Sequence, residues 1–343
     1  MNILLTQLRR IGDVITTTPA VRAIRNAWPE ARIDYLTEPP SDEIFSANPY
    51  IDNIITIKRR PSTVKYIQLV RQLRKNKYDV AIDFFCNPTS AYLTWLSGAK
   101  YRIGFEMRFR KYFYTHTINK KKLFPSHMYA GIHKLTLAAH IGAMPAGFEP
   151  EFPINGETQR KADDFLALLG VNTSDTLVTL GLATRHAFRQ WPLERFAAVA
   201  DTLIERYKTK ILFIYGPGEE NYPRRVQSLM KNSALPEYTH STISRMRGVF
   251  TRTALHIGCD NGPGNIAKAS GIPNIILYSN TRASNWTPPA DRLSSESNQK
   301  YIPFEIALEC KNRCLHENCP NPVCITGISV ESVIKAAEKV LDK

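Results

Sequence analysis

A chain of 343 residues exceeds what one hydrophobic core usually serves, so two domains are expected. Its 43% apolar and 22% charged residues are ordinary for a globular protein, and no apolar run reaches the roughly 18 residues of a membrane-spanning helix. Forty-five Lys and Arg against 31 Asp and Glu leave a net charge of +14, which points toward polyanionic partners: nucleic acid, an acidic membrane surface or a phosphorylated substrate.

The first apolar run, Ile3–Leu5 with Leu8, reads as a buried strand. It is too short for a signal peptide and runs into Arg9 and Arg10, so a cytoplasmic location is expected. A turn through Gly12 and Asp13 follows, and then a helix from about Ile15 to Ala27 with Pro19 in its opening turns. Asp13 therefore falls near the carboxyl end of strand one, where open α/β sheets place their ligands. Strands are expected at 33–36, 54–57, 78–83 and 101–104, and helices at 62–75, 90–96 and from about His127 to Ile141. His127, His133 and His140 match no metal-ligand spacing and read as surface or packing residues. Gly142–Gly156, rich in Gly and Pro, reads as a linker between domains 1–150 and 151–343.

The second half alternates again. A helix at 157–169 precedes a strand at 176–180, and a polar loop leads to a helix at 193–207. A strand at 210–215, a Gly-Pro-Gly turn, a helix ending near Lys231 and a helix at 243–252 follow, and an amphipathic helix at 329–341 closes the chain. The strongest unit is 254–278: an apolar strand, the turn Gly258-Cys259-Asp260-Asn261-Gly262-Pro263-Gly264-Asn265, a small-residue helix stopped by Gly271, and another strand. Such a turn is either a bare βα connection or an anion site at a helix N-terminus. Two alternating β/α halves imply an α/β fold of two Rossmann-like domains.

Three turns at strand ends in the second half suit a nucleoside diphosphate. Thr184, Arg185 and Arg189 could grip phosphate oxygens, Glu219 could accept from a ribose diol, and the turn around Asp260 offers a helix N-terminus. Gly216-x-Gly218 lacks the third glycine of a dinucleotide fingerprint, and no Gly-Lys pair makes a P-loop, so neither hydride transfer nor ATP hydrolysis is supported. Basic residues cluster at Lys58-Arg59-Arg60 and again between Lys100 and Lys122, where eight of them (including Arg108, Arg110 and Lys111) face one acid, Glu106. Cys86 and Cys259 read as buried small hydrophobes. Cys310, Cys314, Cys319 and Cys324 are spaced more widely than the usual paired knuckles, so they read as reduced thiols in a packed loop or as a metal site.

Several motifs together resemble glycosyltransferase family 9, the bacterial lipopolysaccharide heptosyltransferases, over nearly the full length. They are Arg10-Ile11-Gly12-Asp13-Val14 with Thr17-Thr18-Pro19-Ala20, Thr184 with Arg189-Gln190-Trp191-Pro192, Pro217-Gly218-Glu219, and Asp260-Asn261-Gly262-Pro263 with Ala267 and Gly271-Ile272-Pro273. The resemblance implies a GT-B architecture, two Rossmann-like domains facing a cleft. It implies an acceptor-binding N-terminal half, and a C-terminal half that binds a nucleotide sugar, typically ADP-heptose. The transfer would invert the anomeric carbon with no cofactor required. Asp13 matches the proposed catalytic base, Arg189 the basic residue facing the diphosphate, and Glu219 the ribose-associated glutamate. Donor-binding candidates are Thr184, Arg185, Arg189, Glu219, Asp260, Asn261, Gly262 and Asn265. Asn265 stands where the family often has histidine, and it can donate a hydrogen bond but carries no charge. Acceptor-binding candidates are Arg10, Lys58, Arg59, Arg60, Arg108, Arg110 and Lys111. The implied partners are an anionic glycolipid acceptor and a nucleotide sugar, with peripheral contact at the inner membrane and no nucleic acid. The alternatives are a glycosyltransferase acting on protein or other acceptors, and a non-catalytic polyanion-binding protein of the same fold.

Overall fold

The computed structural model describes residues 1–124, 127–236, 242–293, 299–308, 310 and 314–342. It divides into two compact units, Met1–Pro153 and Ile154–Lys343.

The first unit holds β1 (Asn2–Thr6), α1 (Ile11–Ile15), α2 (Thr18–Ala27), β2 (Arg32–Thr37), β3 (Asn53–Thr56), α3 (Thr63–Lys75), β4 (Val80–Asp83), α4 (Pro88–Leu96), β5 (Tyr101–Phe105), β6 (His116–Ile118), α5 (Lys120–Leu123) and α6 (Ala130–Ala139). Its six strands lie in the order β3-β2-β1-β4-β5-β6, every pair parallel. A parallel sheet is covered on both faces, which is why β1 reads as an unbroken apolar run with four of its five residues buried. Leu4, Leu36, Ile55 and Ala81 of the strands pack with Leu69 and Leu73 of α3 and Leu93 of α4. Pro88 and a capping box between Asn87 and Ser90 start α4 two residues closer to β4 than the sequence suggests.

The helix expected over 15–27 is two helices, and the first already begins at Ile11. Three consecutive hydroxyls explain the break. Thr16, Thr17 and Thr18 each donate from Oγ1 to the carbonyl three residues back, at 2.7–2.8 Å, and Pro19 supplies no N–H. Asp13 thus stands in a helix rather than in the turn before one, and Arg10, not Asp13, holds the N-cap position.

The second unit holds α7 (Gly156–Leu168), β7 (Leu177–Gly181), α8 (Leu193–Tyr207), β8 (Lys210–Ile214), α9 (Asn221–Leu229), α10 (Ile243–Thr251), β9 (Thr253–Cys259), α11 (Gly262–Ala269), β10 (Asn274–Tyr278), β11 (Tyr301–Glu305) and the closing helix Val330–Leu341. The strand order is β11-β10-β9-β7-β8, again all parallel. Trp191 is fully buried in this core, edge-on to Phe196 at 4.8 Å, and its indole N–H donates to Ile328 O at 3.0 Å. Truncating so large a packed ring costs about 3–5 kcal/mol. Gly258 lies opposite Gly181, and a Cβ on Gly258 would stand 2.9 Å from Gly181 O, so the two strands require a bare backbone there. β6 and β11 lie outside the strands expected from the sequence.

Candidate active site

In each sheet the strand order reverses once, and ligands of open α/β sheets bind at the carboxyl end of that reversal. In the first unit the reversal lies between β1 and β4, where the loop carrying Arg9 and Arg10, with Asp13 in the first turn of α1, meets the loop after Asp83. Arg9 (φ 61°) and Arg10 (φ 43°) both occupy the left-handed region, a conformation costing about 1–2 kcal/mol per non-glycine residue. Such cost is commonly tolerated where a loop must present a functional group. One turn on, the half-buried carboxyl of Asp13 is held above the usual carboxylate range by burial, against the opposing pull of Lys134 and Arg10. Asp13 is therefore a better proton acceptor than the free side chain, whose pKa is about 3.9.

Lys134 went unnoticed in the sequence, where it lies among the apolar residues of α6. The structure buries it to 9% exposure at the β1/β4 reversal. Its Nζ donates to Gln7 Oε1 at 3.0 Å and to Phe84 O. Burial lowers its pKa, while Asp13, Cys86 and Asp83 pull it back up. Asp83 is itself fully buried and fully engaged: it accepts from Tyr114 Oη at 2.7 Å and from the Phe85 and Cys86 amides. Tyr35, near Asp13, keeps its phenol protonated through burial and shares a 2.7 Å hydrogen bond with Thr17.

The acceptor candidates spread along the carboxyl edge. Arg10 is exposed beside Asp13, and Lys58, Arg59 and Arg60 are exposed just after β3. Burial raises the pKa of Glu38 against the pull of Arg9 and Arg59. Arg108, Arg110 and Lys111 belong to a 3-10 helix, Arg108–Phe113, that follows β5. His133 is buried, packs at 4.6 Å from Phe124, and is pushed down to about 4 by burial and by Lys120 and Lys134. His127 and His140 are exposed.

In the second unit the reversal lies between β7 and β9. Asn261 bridges it, donating from Nδ2 to Ala183 O at 2.8 Å and accepting at Oδ1 from Gly264 N at 2.8 Å as the N-cap of α11. Arg189 is half-buried, rests 5.5 Å from the Phe188 ring centroid, and has a buried Nε with no hydrogen-bond partner. Arg185 is exposed and Glu219 half-buried, with Oε2 accepting from Gly216 N at 2.6 Å. Asp260 accepts from Thr281 Oγ1 at 2.8 Å, and Gly262 begins α11 half-exposed.

Two donor candidates are already engaged inside the protein. Thr184 donates its hydroxyl proton to His186 O at 2.8 Å, so it can offer a phosphate no proton while that bond stands. Asn265 is 6% exposed and turns its amide back to Asn261 O at 2.8 Å, which commits one of its two N–H protons inside the protein. The α11 N-terminus is also narrower than expected, because Pro263 has no N–H and Gly264 N is capped, leaving the Gly262 amide. A second buried lysine, Lys268, donates to Tyr278 Oη at 3.1 Å and Trp286 O at 3.0 Å, and burial lowers it to about 8. The four clustered cysteines line one cavity of about 230 Å³ with Phe188, Asn280 and Leu308. Among the described residues no group of three or more His, Cys, Asp or Glu is arranged to hold a metal. Cys86 and Cys259 are buried and pushed up to about 12 by burial.

The model of glycosyltransferase family 9 (heptosyltransferase) matches residues 66–316, well over half of the chain. Lipopolysaccharide heptosyltransferase 3 of Escherichia coli (strain K12) is 25% identical over 357 residues, spanning 97% of this chain and 96% of that protein. The crystal structure of a family 9 glycosyl transferase from Veillonella parvula DSM 2008 matches with a TM-score of 0.85 at 24% identity, covering 99% of this chain and 97% of that one. The structure of E. coli ADP-heptose LPS heptosyltransferase II matches with a TM-score of 0.79 at 15% identity, covering 99% and 98%. With the parallel sheets of both units and the family match in agreement, this chain belongs to glycosyltransferase family 9, the heptosyltransferase family, and is a glycosyltransferase.

Proposed function

We propose that this enzyme transfers heptose, or a closely related sugar, from ADP-heptose to the inner core of lipopolysaccharide, inverting the anomeric carbon. The observation that carries the reading is Asp13: an enclosed carboxyl with raised proton affinity, at the β1/β4 reversal, in a family 9 chain. In this reading residues 1–150 take the acceptor and 151–343 the donor. Asp13 removes the proton from the attacking acceptor hydroxyl as the bond from the anomeric carbon to the diphosphate oxygen breaks, and ADP departs carrying the electron pair. Arg189, whose Nε is unpaired, Arg185 and the Gly262 amide oppose the charge that grows on the leaving diphosphate. Glu219 binds the ribose through its remaining carboxylate capacity, while Asp260, Asn261 and Asn265 hold the loop in shape rather than touch the sugar.

The acceptor side follows from charge. An inner core bearing phosphates and carboxylates suits Arg10, Lys58, Arg59 and Arg60 at the sheet edge. Among the described residues no helix is long and apolar enough to cross a membrane, and contact with the bilayer in this reading is peripheral, at the cytoplasmic face of the inner membrane. The test is incubation of the purified protein with labelled ADP-heptose and either heptose-deficient lipopolysaccharide or a panel of proteins. Label in the glycolipid, with one heptose added by mass spectrometry, is expected. Label in protein alone would move the acceptor assignment, and no transfer with intact ADP binding would favour a non-catalytic binding role.

A further inference from the structure

Large apolar side chains are normally covered, yet the 3-10 helix after β5 holds two that are not. Phe109 is 70% exposed and Tyr112 is 75% exposed. Each ring carries a cation from its own turn: the Arg108 guanidinium stands 4.8 Å from the Phe109 centroid, and Lys111 Nζ 5.4 Å from that of Tyr112. The aromatic surface continues across the neighbouring helix. Phe113 lies 5.9 Å from both Tyr92 and Trp95 of α4, which are 42% and 43% exposed. Close by in sequence, α5 presents Lys121 and Lys122, both exposed, with Leu123 at 56% exposure, while Lys120 turns its ammonium over the Phe105 ring at 5.9 Å. The single acid in this stretch, Glu106, accepts from Asn119 Nδ2 at 2.8 Å.

Rings interleaved with Lys and Arg have a specific physical home. At a bilayer interface the aromatic ring sits at headgroup depth, the alkyl stems of the cations lie along the apolar boundary, and their charges meet anionic lipid. A nucleic acid would also meet the charge. Its bases could stack on the rings, but it would leave the exposed Leu123 without an apolar phase to enter, so the patch favours lipid. Position supports the same partner. Only β4 separates β5 from β1, and the segment leaves the same carboxyl edge as the Asp13 loop. An acceptor anchored in a membrane by acyl chains has to be met by a surface near its pocket that tolerates the bilayer.

We propose that Phe109 and Tyr112, with Arg108, Arg110, Lys111, Lys121 and Lys122 around them, dock the enzyme on a bilayer of anionic phospholipid. The proposal rests on the reading of a membrane-anchored acceptor, and it gives Arg108, Arg110 and Lys111 lipid headgroups to bind rather than core sugars. The test needs neither donor nor acceptor, so it stands or falls apart from the transferase assay. The full chain is sedimented with phosphatidylcholine vesicles and with vesicles containing roughly one quarter phosphatidylglycerol. Sedimentation is expected with the anionic vesicles only, weakening as salt is raised. The double variant Phe109→Ser/Tyr112→Ser should lose at least about tenfold in vesicle partition, the scale set by removing two ring faces from an apolar phase. Each single variant should show part of that loss. Circular dichroism of the variants should match the parent. Equal binding by the parent and the folded double variant would overturn the proposal, as would parent protein that stays in the supernatant. So would a change of solution mass in the variants without loss of vesicle binding, which would assign the patch to self-association.

Discussion

Lys134 and Asp13 are enclosed charges that bias one another, although Lys134 makes its hydrogen bonds to Gln7 and Phe84 O. Lys134 is faced by Asp13, Asp83, Cys86 and Lys120, and Asp13 by Lys134, Arg10 and the Tyr35 phenol. Burial raises the Asp13 pKa and Lys134 opposes that rise, so Lys134 keeps the base ionised at a lower pH than burial alone would allow. In the proposed mechanism transfer needs the carboxylate, so the rate is expected to fall as pH drops through the Asp13 pKa. In Lys134→Met the opposing charge is gone and that pKa climbs further. The acid limb of the kcat/KM profile is expected to move to higher pH, with donor KM unchanged. Lys134→Arg should restore part of the shift. A lower rate with an unmoved acid limb would reduce Lys134 to a packing role. Asp13 was legible in the sequence because it sits in a motif next to a glycine after a strand. Lys134 was not, because a lone lysine in an apolar helix looks the same whether it snorkels to water or ends in a buried hydrogen-bond nest. The same ambiguity hid Lys268 among the small residues of α11.

At the scale of elements, α11 is held by one side chain at its start. Asn261 caps Gly264 N and ties the loop after β9 to Ala183 behind β7, so one amide fixes both the helix start and the seam between two strands. A Cβ on Gly264 would stand 2.9 Å from Ile276 Cδ1, which shows how closely α11 lies on β10. Asn261→Ala removes both bonds. It is expected to cost about 2 kcal/mol of stability in urea unfolding, one for the cap and one for the buried carbonyl left without its donor. In the proposed reading ADP affinity should fall as well, because the loop that presents the Gly262 amide loosens. A loss under about 0.5 kcal/mol would show the seam is held by backbone alone. The sequence showed the strand–turn–helix and offered Asn261 and Asn265 as donor-binding residues, but it did not show that both amides are also bonded within the protein. Whether an amide turns outward or back onto its own helix is settled by local cap geometry, which side-chain type does not encode.

Across the whole molecule, the alternation of strands and helices made the two α/β units legible, and the Gly- and Pro-rich stretch 142–156 contains the point, after Pro153, where they divide. Strand order was not legible, since pairing between β1 and β4, or β7 and β9, joins segments far apart in sequence. Nor were β6 and β11. β6 has three residues at a sheet edge, and β11 carries Pro303, which only an edge position tolerates, so neither carries a strong period-two signal. The order is what gives the site its meaning, because each reversal gathers polar groups that the linear chain scatters: Gln7, Asp13, Phe84 O and Lys134 in one unit, Ala183 O, Arg189 and Asn261 in the other. The central claim is that the Asp13 carboxylate is the proton acceptor in sugar transfer. It is tested most directly by measuring transfer from ADP-heptose in Asp13→Asn alongside calorimetric ADP binding. A loss of at least about a thousandfold in kcat with ADP affinity unchanged is expected. Near-normal turnover by that variant, with ADP still bound, would contradict the account.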